Sequence, residues 1–304
     1  MLTLVGRAIP VCLALLLASS AVAQERVRID PGPFIGTLQK IKESGAIRLG
    51  YPEHSVPFAF LADGRPVGYS IDLCNAIVAA VGDALGTTPR VDYRPVGPQD
   101  RFSLLVAGDI DLECGSSTNT AERRLQVAFS PVIFVTGTKL LVKRASSVDN
   151  LRDLKHKTVV VTAGTTNAAV VEALAERHRL DINFVVSPDR TQSFAILAAG
   201  KADAFAQDEA LLHAWIAENS GSSGEYRIAG DMLSYEPYGL MFRKGDYELA
   251  ELVEETFRKI AKSGEIARLY EKWFLGRLPS GVNLALPMSA ELAERVEALA
   301  LLAD

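Results

Sequence analysis

Short apolar runs and longer amphipathic stretches alternate along the chain. Residues 46–51 ("AIRLGY") and 90–96 ("RVDYRPV") read as strands, and between them "SIDLCNAIVAAVGDAL" sets Leu73, Ile77 and Val81 on one helical stripe. The stretch "RFSLLVAGDIDLECG" predicts a helix stopped at Gly108, then a strand. "TVVVTAGTTNAAVVEALAERH" predicts a strand, a Gly/Thr turn and a helix with Val170, Val171 and Leu174 facing inward. Strands alternating with helices in this way define an α/β protein with a largely parallel sheet.

An internal echo divides the pattern in two. "FSLLVAGDIDLECG" from Phe102 matches "FAILAAGKADAFAQ" from Phe194, pairing Phe102 with Phe194, Leu105 with Leu197, Gly108 with Gly200 and Asp111 with Asp203. Two lobes of like construction would give such an echo, as would two unrelated helix-Gly-strand units. In open α/β sheets ligands bind outside the carboxyl ends of the strands. "ECGSST" and "TAGTTN" are strand ends, one in each half. Two facing loops rich in hydroxyls and backbone donors suggest a cleft.

The N-terminus adds a compartment. Arg7, the apolar run "VCLALLL" and the small residues Ala21, Val22 and Ala23 have the form of a secretory signal peptide cleaved after Ala23. Removing residues 1–23 takes away Arg7 and no acid, moving the formal net charge from −5 to about −6. A mildly acidic chain without a basic block is a poor match to nucleic acid or anionic lipid. About 280 residues remain, more than one compact core usually uses. An exported protein can bridge Cys74 and Cys114. The expectation is nonetheless two buried thiols acting as small hydrophobes.

Candidate chemistry gathers at the strand ends. Ser116, Ser117, Thr118, Asn119 and Thr120 precede Glu122, Arg123 and Arg124. A helix starting near Thr120 would present free N–H groups, and Arg123 in its first turn would add a fork of donors suited to a carboxylate. A capped surface helix with solvated arginines would show the same letters. Thr166 lies in the donor loop of the other half, and Asp208 follows a strand where it could hold an ammonium or cap a helix. Arg101 opens the helix after "VGPQD", and Arg190 sits in "SPDRTQS"; each alone would suit a surface residue. The chain has no Walker or GxGxxG motif for a nucleotide, no G-x-S-x-G elbow and no Cys/His spacing for a metal. No cofactor and no catalytic residue is expected.

The ordered landmarks "SVPFAF", "VGYSIDLCNAIV", "RFSLLVAGDIDLECGSSTNTAERRLQVAFSP", "SFAILAAGKADAFAQDEALL" and "SGEIARLYEKWF" carry a resemblance over nearly all of the mature chain. It resembles the periplasmic amino-acid-binding proteins of ABC importers, solute-binding protein family 3, and among them the glutamate/aspartate binders. The resemblance implies a two-lobed type II binding protein. Its segments would be a signal peptide (1–23), lobe 1 (24–132 and 243–304), hinge strands (133–137 and 238–242) and lobe 2 (138–237). It implies a periplasmic monomer that captures an acidic L-amino acid by hinge closure and delivers it to permease subunits. Arg123 would grip the α-carboxylate, with Ser116, Thr118 and Thr166 around it. Asp208 would hold the α-ammonium, and Arg101 the side-chain carboxylate. Three positions depart from the acidic binders: Pro52 stands for an arginine, Pro98 for a serine and Arg190 for a histidine. Arg190 is expected to replace the cation lost at Pro52. A neutral polar or broad-range ligand, or a cyclohexadienyl-dehydratase-like enzyme on the same fold, are the alternatives.

Overall fold

The computed structural model describes residues 34–219 and 224–303. The expected signal peptide lies outside them. In chain order the elements are α1 (Gly36–Ser44), β1 (Ala46–Tyr51), β2 (His54–Ser55), β3 (Ala59–Ala62), β4 (Arg65–Val67), α2 (Tyr69–Leu85), β5 (Arg90–Pro95), α3 (Arg101–Ala107), β6 (Leu112–Thr118), β7 (Val127–Phe129) and β8 (Phe134–Thr136). There follow β9 (Thr138–Lys143), β10 (Thr158–Thr162), α4 (Thr166–His178), β11 (Asn183–Ser187), α5 (Arg190–Ala198), β12 (Ala204–Asp208), α6 (Glu209–Glu218), β13 (Tyr226–Ala229), β14 (Glu236–Arg243), α7 (Tyr247–Lys262), α8 (Glu265–Tyr270) and α9 (Ala290–Leu301).

Two sheets repeat one plan. The first runs β5-β1-β6-β14-β7 with β8 also on β14, and the second runs β11-β10-β12-β9-β13. In each, three neighbouring strands are parallel and the strand beyond them is antiparallel. The sheets are therefore mixed, with the parallel part where strands and helices alternate. A small antiparallel sheet, β2-β3-β4, accompanies them.

Periodicity explains the burial. In the second sheet Val159 and Val161 of β10 join Leu140, Val142, Ala204 and Ala206 on one face. Val160 joins Leu141 and Phe205 on the other. Alternate side chains point to opposite faces, so a continuous apolar run means both faces are covered. The echoed residues occupy equivalent places. Gly108 and Gly200 take φ of 77° and 69° beyond α3 and α5, a left-handed conformation that suits glycine. The Asp111 carboxylate accepts the N–H of Arg48 in β1, and that of Asp203 accepts the N–H of Thr158 in β10, both at 2.8 Å.

α2 buries Leu73, Ile77 and Val81 completely. Each contributes about 1.5–3 kcal/mol by leaving water. The same packing lays Cys74 over Cys114 of β6, and here the expectation of free thiols is corrected: the two form a disulfide, with Cα atoms 6.1 Å apart. The helix expected near Thr120 is corrected too. The Thr120 hydroxyl accepts the Arg123 N–H at 3.1 Å, and Arg123–Leu125 form one 3-10 turn. β7 begins two residues later, so strand pairing overrides helix growth. In α4 only Val171 of the three expected inward residues is fully buried; Val170 and Leu174 are half-buried.

β8 pairs with the first three residues of β14, Glu236 to Tyr238. The rest of β14, through Phe242 and Arg243, pairs with β6 and β7 inside the first sheet. α9 packs along α7.

Candidate functional site

β6 is buried along its whole length and carries four polar side chains, Glu113 near its start and Ser116, Ser117 and Thr118 at its carboxyl end. Their hydroxyls and carboxylate need partners, because an unpaired buried polar group costs about 1–3 kcal/mol. Arg101, at the start of α3 and 6% exposed, donates from Nη1 to the Ser117 hydroxyl at 2.8 Å. The Ser117 hydroxyl in turn donates to Glu113 Oε2 at 2.7 Å. Glu113 Oε1 and Arg101 Nε are buried without partners. Burial pushes the Arg101 guanidinium down to about 10, against the pull of Glu113, so it stays charged at neutral pH. Burial likewise pushes the Glu113 carboxyl up, and Arg101 works against that shift.

Arg123 holds its guanidinium 5.2 Å from the centre of the Phe102 ring, and Arg101 sits 5.3 Å from the same ring. One aromatic residue thus steadies two cations through its π cloud. Arg123 donates to the carbonyl of Thr118 at 3.0 Å and, across to the second sheet, to the carbonyl of Gly164 at 3.4 Å. Burial lowers its pKa, and Glu236, Glu113 and Asp208 oppose that fall.

The second sheet supplies the facing wall. Thr165 caps α4 by accepting the Ala168 N–H, which presents Thr166 to the cleft. Its hydroxyl lies 3.3 Å from that of Thr118 and donates to Glu236 Oε2 at 2.7 Å. Arg190 reaches Ser55 through Nη1 and Ser116 through Nη2, the latter at 3.2 Å. Asp208 ends β12 with 3% exposure and does not cap α6. It accepts instead from Asn167 Nδ2 at 2.8 Å and the Tyr238 hydroxyl at 2.6 Å. Burial first, and the neighbouring Glu236 carboxylate second, push Asp208 up to about 6.

All seven expected site residues, Arg101, Ser116, Thr118, Arg123, Thr166, Arg190 and Asp208, therefore meet where the two sheets face each other. Beside them opens a cavity of 340 Å³ whose lining includes Pro52, Pro98, Arg101, Glu113 and Arg190. Sequence reasoning missed Glu113, Asn167, Glu236 and Tyr238. Glu113 had one signal, an acid inside an apolar strand; Glu236, in "SYEPYGL", had none. Among the described residues no cluster of His, Cys, Asp or Glu could hold a metal.

Two lobed sheets with a charged, hydroxyl-lined cleft between them define a binding protein of two α/β lobes. The chain belongs to the bacterial extracellular solute-binding proteins, family 3, whose model matches residues 47–276. It is 39% identical over 287 residues to the L-glutamate/L-aspartate-binding protein of Pseudomonas aeruginosa, covering 93% of this chain and 92% of the relative. Among solved structures it resembles a mutant of ArgBP from T. maritima, with a TM-score of 0.70, 29% identity, and coverage of 78% of this chain and 99% of that one. It also resembles an ancestral amino-acid-binding protein described as a precursor of cyclohexadienyl dehydratase, with a TM-score of 0.66, 27% identity, and coverage of 79% and 99%.

Proposed function

We propose that this protein is the substrate-binding component of an ABC amino-acid importer and captures an acidic L-amino acid, glutamate or aspartate. The observation that carries the reading is the charge layout of the cleft. Arg123 and the buried Asp208 offer a cation and an anion for the α-carboxylate and α-ammonium. Arg101 and Arg190 line the adjoining cavity, placed for a third, negative group. The glutamate/aspartate binding named for the Pseudomonas relative supports the same ligand.

Capture proceeds by closure. The hinge strands are 133–137 and 238–242, meeting where Phe134 pairs with Tyr238, with lobe 1 made, among the described residues, of 34–132 and 243–303 and lobe 2 of 138–237. Lobe 1 takes the carboxylate on Arg123, Ser116 and Thr118. Closure then brings Thr166, Arg190 and Asp208 onto the ligand, and contacts from both lobes favour the closed population. The closed protein docks on permease subunits as a monomer, after export to the periplasm and loss of residues 1–23. Asp208 takes its two donors from Asn167 and Tyr238, a setting that holds charge for an ammonium, so the protein binds without turnover.

A thermal-shift panel on ligand-stripped protein tests the reading, because a ligand that binds only the native state raises the melting temperature. L-Glutamate or L-aspartate should raise it more than L-glutamine. Equal shifts for glutamine and glutamate would overturn the acidic assignment. Conversion of prephenate or arogenate would establish the dehydratase reading in its place.

A further inference from the structure

We propose that Glu113 sets the charge that the site accepts, limiting the ligand's side chain to a single negative charge. This rests on the reading of the site as a receptor for acidic amino acids.

Two guanidiniums, Arg101 and Arg190, face the cavity from opposite sheets. Alone they would present two positive charges and match a dianion. Glu113 faces the same cavity with no exposure to solvent. It is joined to Arg101 through Ser117, at 2.8 and 2.7 Å along the relay. Because Ser117 accepts from Arg101, its single hydrogen points to Glu113 Oε2. Burial opposes the carboxylate form, and the Arg101 guanidinium, that hydrogen bond and the guanidiniums of Arg123 and Arg190 favour it. The enclosure thus holds two cations and one fixed anion.

The place of Glu113 is built rather than incidental. A Cβ on Gly115 would collide with Glu113 Oε1, so the glycine makes room for that oxygen. Pro52 packs on the same spot, and Pro52 and Pro98 bring no side-chain donor to the wall. Oε1 has no partner of its own. Glu53 and Asp189 also touch the cavity, but both are partly exposed, and Asp189 caps α5 by accepting the Gln192 N–H. Water screens those two far more than it screens Glu113. The third nearby cation, Arg123, is answered first by Glu236, with Glu113 and Asp208 after it, so Glu113 is shared between Arg101 and Arg123.

Substituting charge without shape tests the assignment. Calorimetry at neutral pH would compare L-glutamate with O-phospho-L-serine, whose side chain is a dianion. Glu113→Gln should shift the ratio of the two dissociation constants by about tenfold or more toward phosphoserine. Arg190→Gln should narrow the preference for L-glutamate over L-glutamine, and the double variant should return toward the wild-type ratio. A structural role for Glu113 would not produce that rescue. Glu113→Asp, which keeps the charge, covers the case in which Glu113→Gln does not melt cooperatively; it should keep the wild-type ratio, and a tenfold shift toward phosphoserine there would overturn the assignment. An unchanged ratio in folded Glu113→Gln, with glutamate still bound, would also overturn it while leaving the acidic reading intact. Wild-type protein that ignores glutamate would instead remove the acidic reading.

Discussion

Arg123 spends two of its five N–H groups on the carbonyls of Thr118 and Gly164, and the proposed ligand would draw on the rest. Breaking a buried ion pair costs about 3–5 kcal/mol, so Arg123→Ala should weaken glutamate binding by roughly two to four decades. Calorimetry reads this directly, and near-wild-type affinity would remove Arg123 from the site. Asp208 gives a pH signature. Its folded pKa is raised from 3.8 to about 6, so the folded, ligand-free protein holds a proton there that the unfolded chain has released. The stability this contributes, about 3 kcal/mol, is present below about pH 4 and is lost as pH rises through about 6. Asp208→Asn should flatten that part of the stability profile, as urea melts across the same window would show. A ligand ammonium prefers the ionised acid, so glutamate affinity should rise with pH up to about 6 and then level off. A flat affinity profile would take the ammonium away from Asp208.

At the scale of elements, α2 is held to β6 by both packing and a covalent bond. The Cys74–Cys114 disulfide closes a span of 40 residues. On a chain-entropy account this stabilises the fold by about 4 kcal/mol. Cys74→Ser should therefore lower the melting temperature by roughly 10 °C, and Cys114→Ser should do the same without adding to it. A melting point insensitive to reductant would mean that the bond does not form in solution. The stripe Leu73–Ile77–Val81 made the inward face of α2 legible in sequence, Cys74 included. Nothing in the sequence told which strand residue would lie beneath it. The same limit hid Glu113 and Glu236. Alternation places an acid on one face of a strand, but the group that gives it a role comes from another element: Arg101 of α3, reached through Ser117 of the same strand, for Glu113, and Thr166 of α4 for Glu236. Arg123, Thr166 and Asp208 were legible because strand ends in an alternating α/β pattern need no distant partner to be located. The helix misread at Thr120 shows the reverse. Its letters favour a cap, and only the pairing of β7 with β14 decides against the helix that would follow.

For the whole molecule, one of the contacts between the lobes is a close backbone approach at a glycine. Gly164, at φ 74°, lies in the turn before α4, and a Cβ there would stand 2.6 Å from the Pro98 carbonyl oxygen and 3.1 Å from its carbon. Both are backbone atoms of the facing lobe, so no side chain can swing aside. The same turn offers its own carbonyl to Arg123, which places it at the seam of the closed form. Gly164→Ala should thus act on two quantities by different amounts. The left-handed conformation costs an alanine roughly 1 kcal/mol in any state of the protein, so the ligand-free melting temperature should fall only slightly. The clash exists only with the lobes together, so closure should suffer more. Glutamate affinity should drop by at least about tenfold, and the decrease in radius of gyration on adding ligand, read by small-angle X-ray scattering, should shrink or vanish. If the variant compacts and binds like the wild type, the seam between the lobes lies elsewhere, and closure does not bring the Gly164 turn against Pro98.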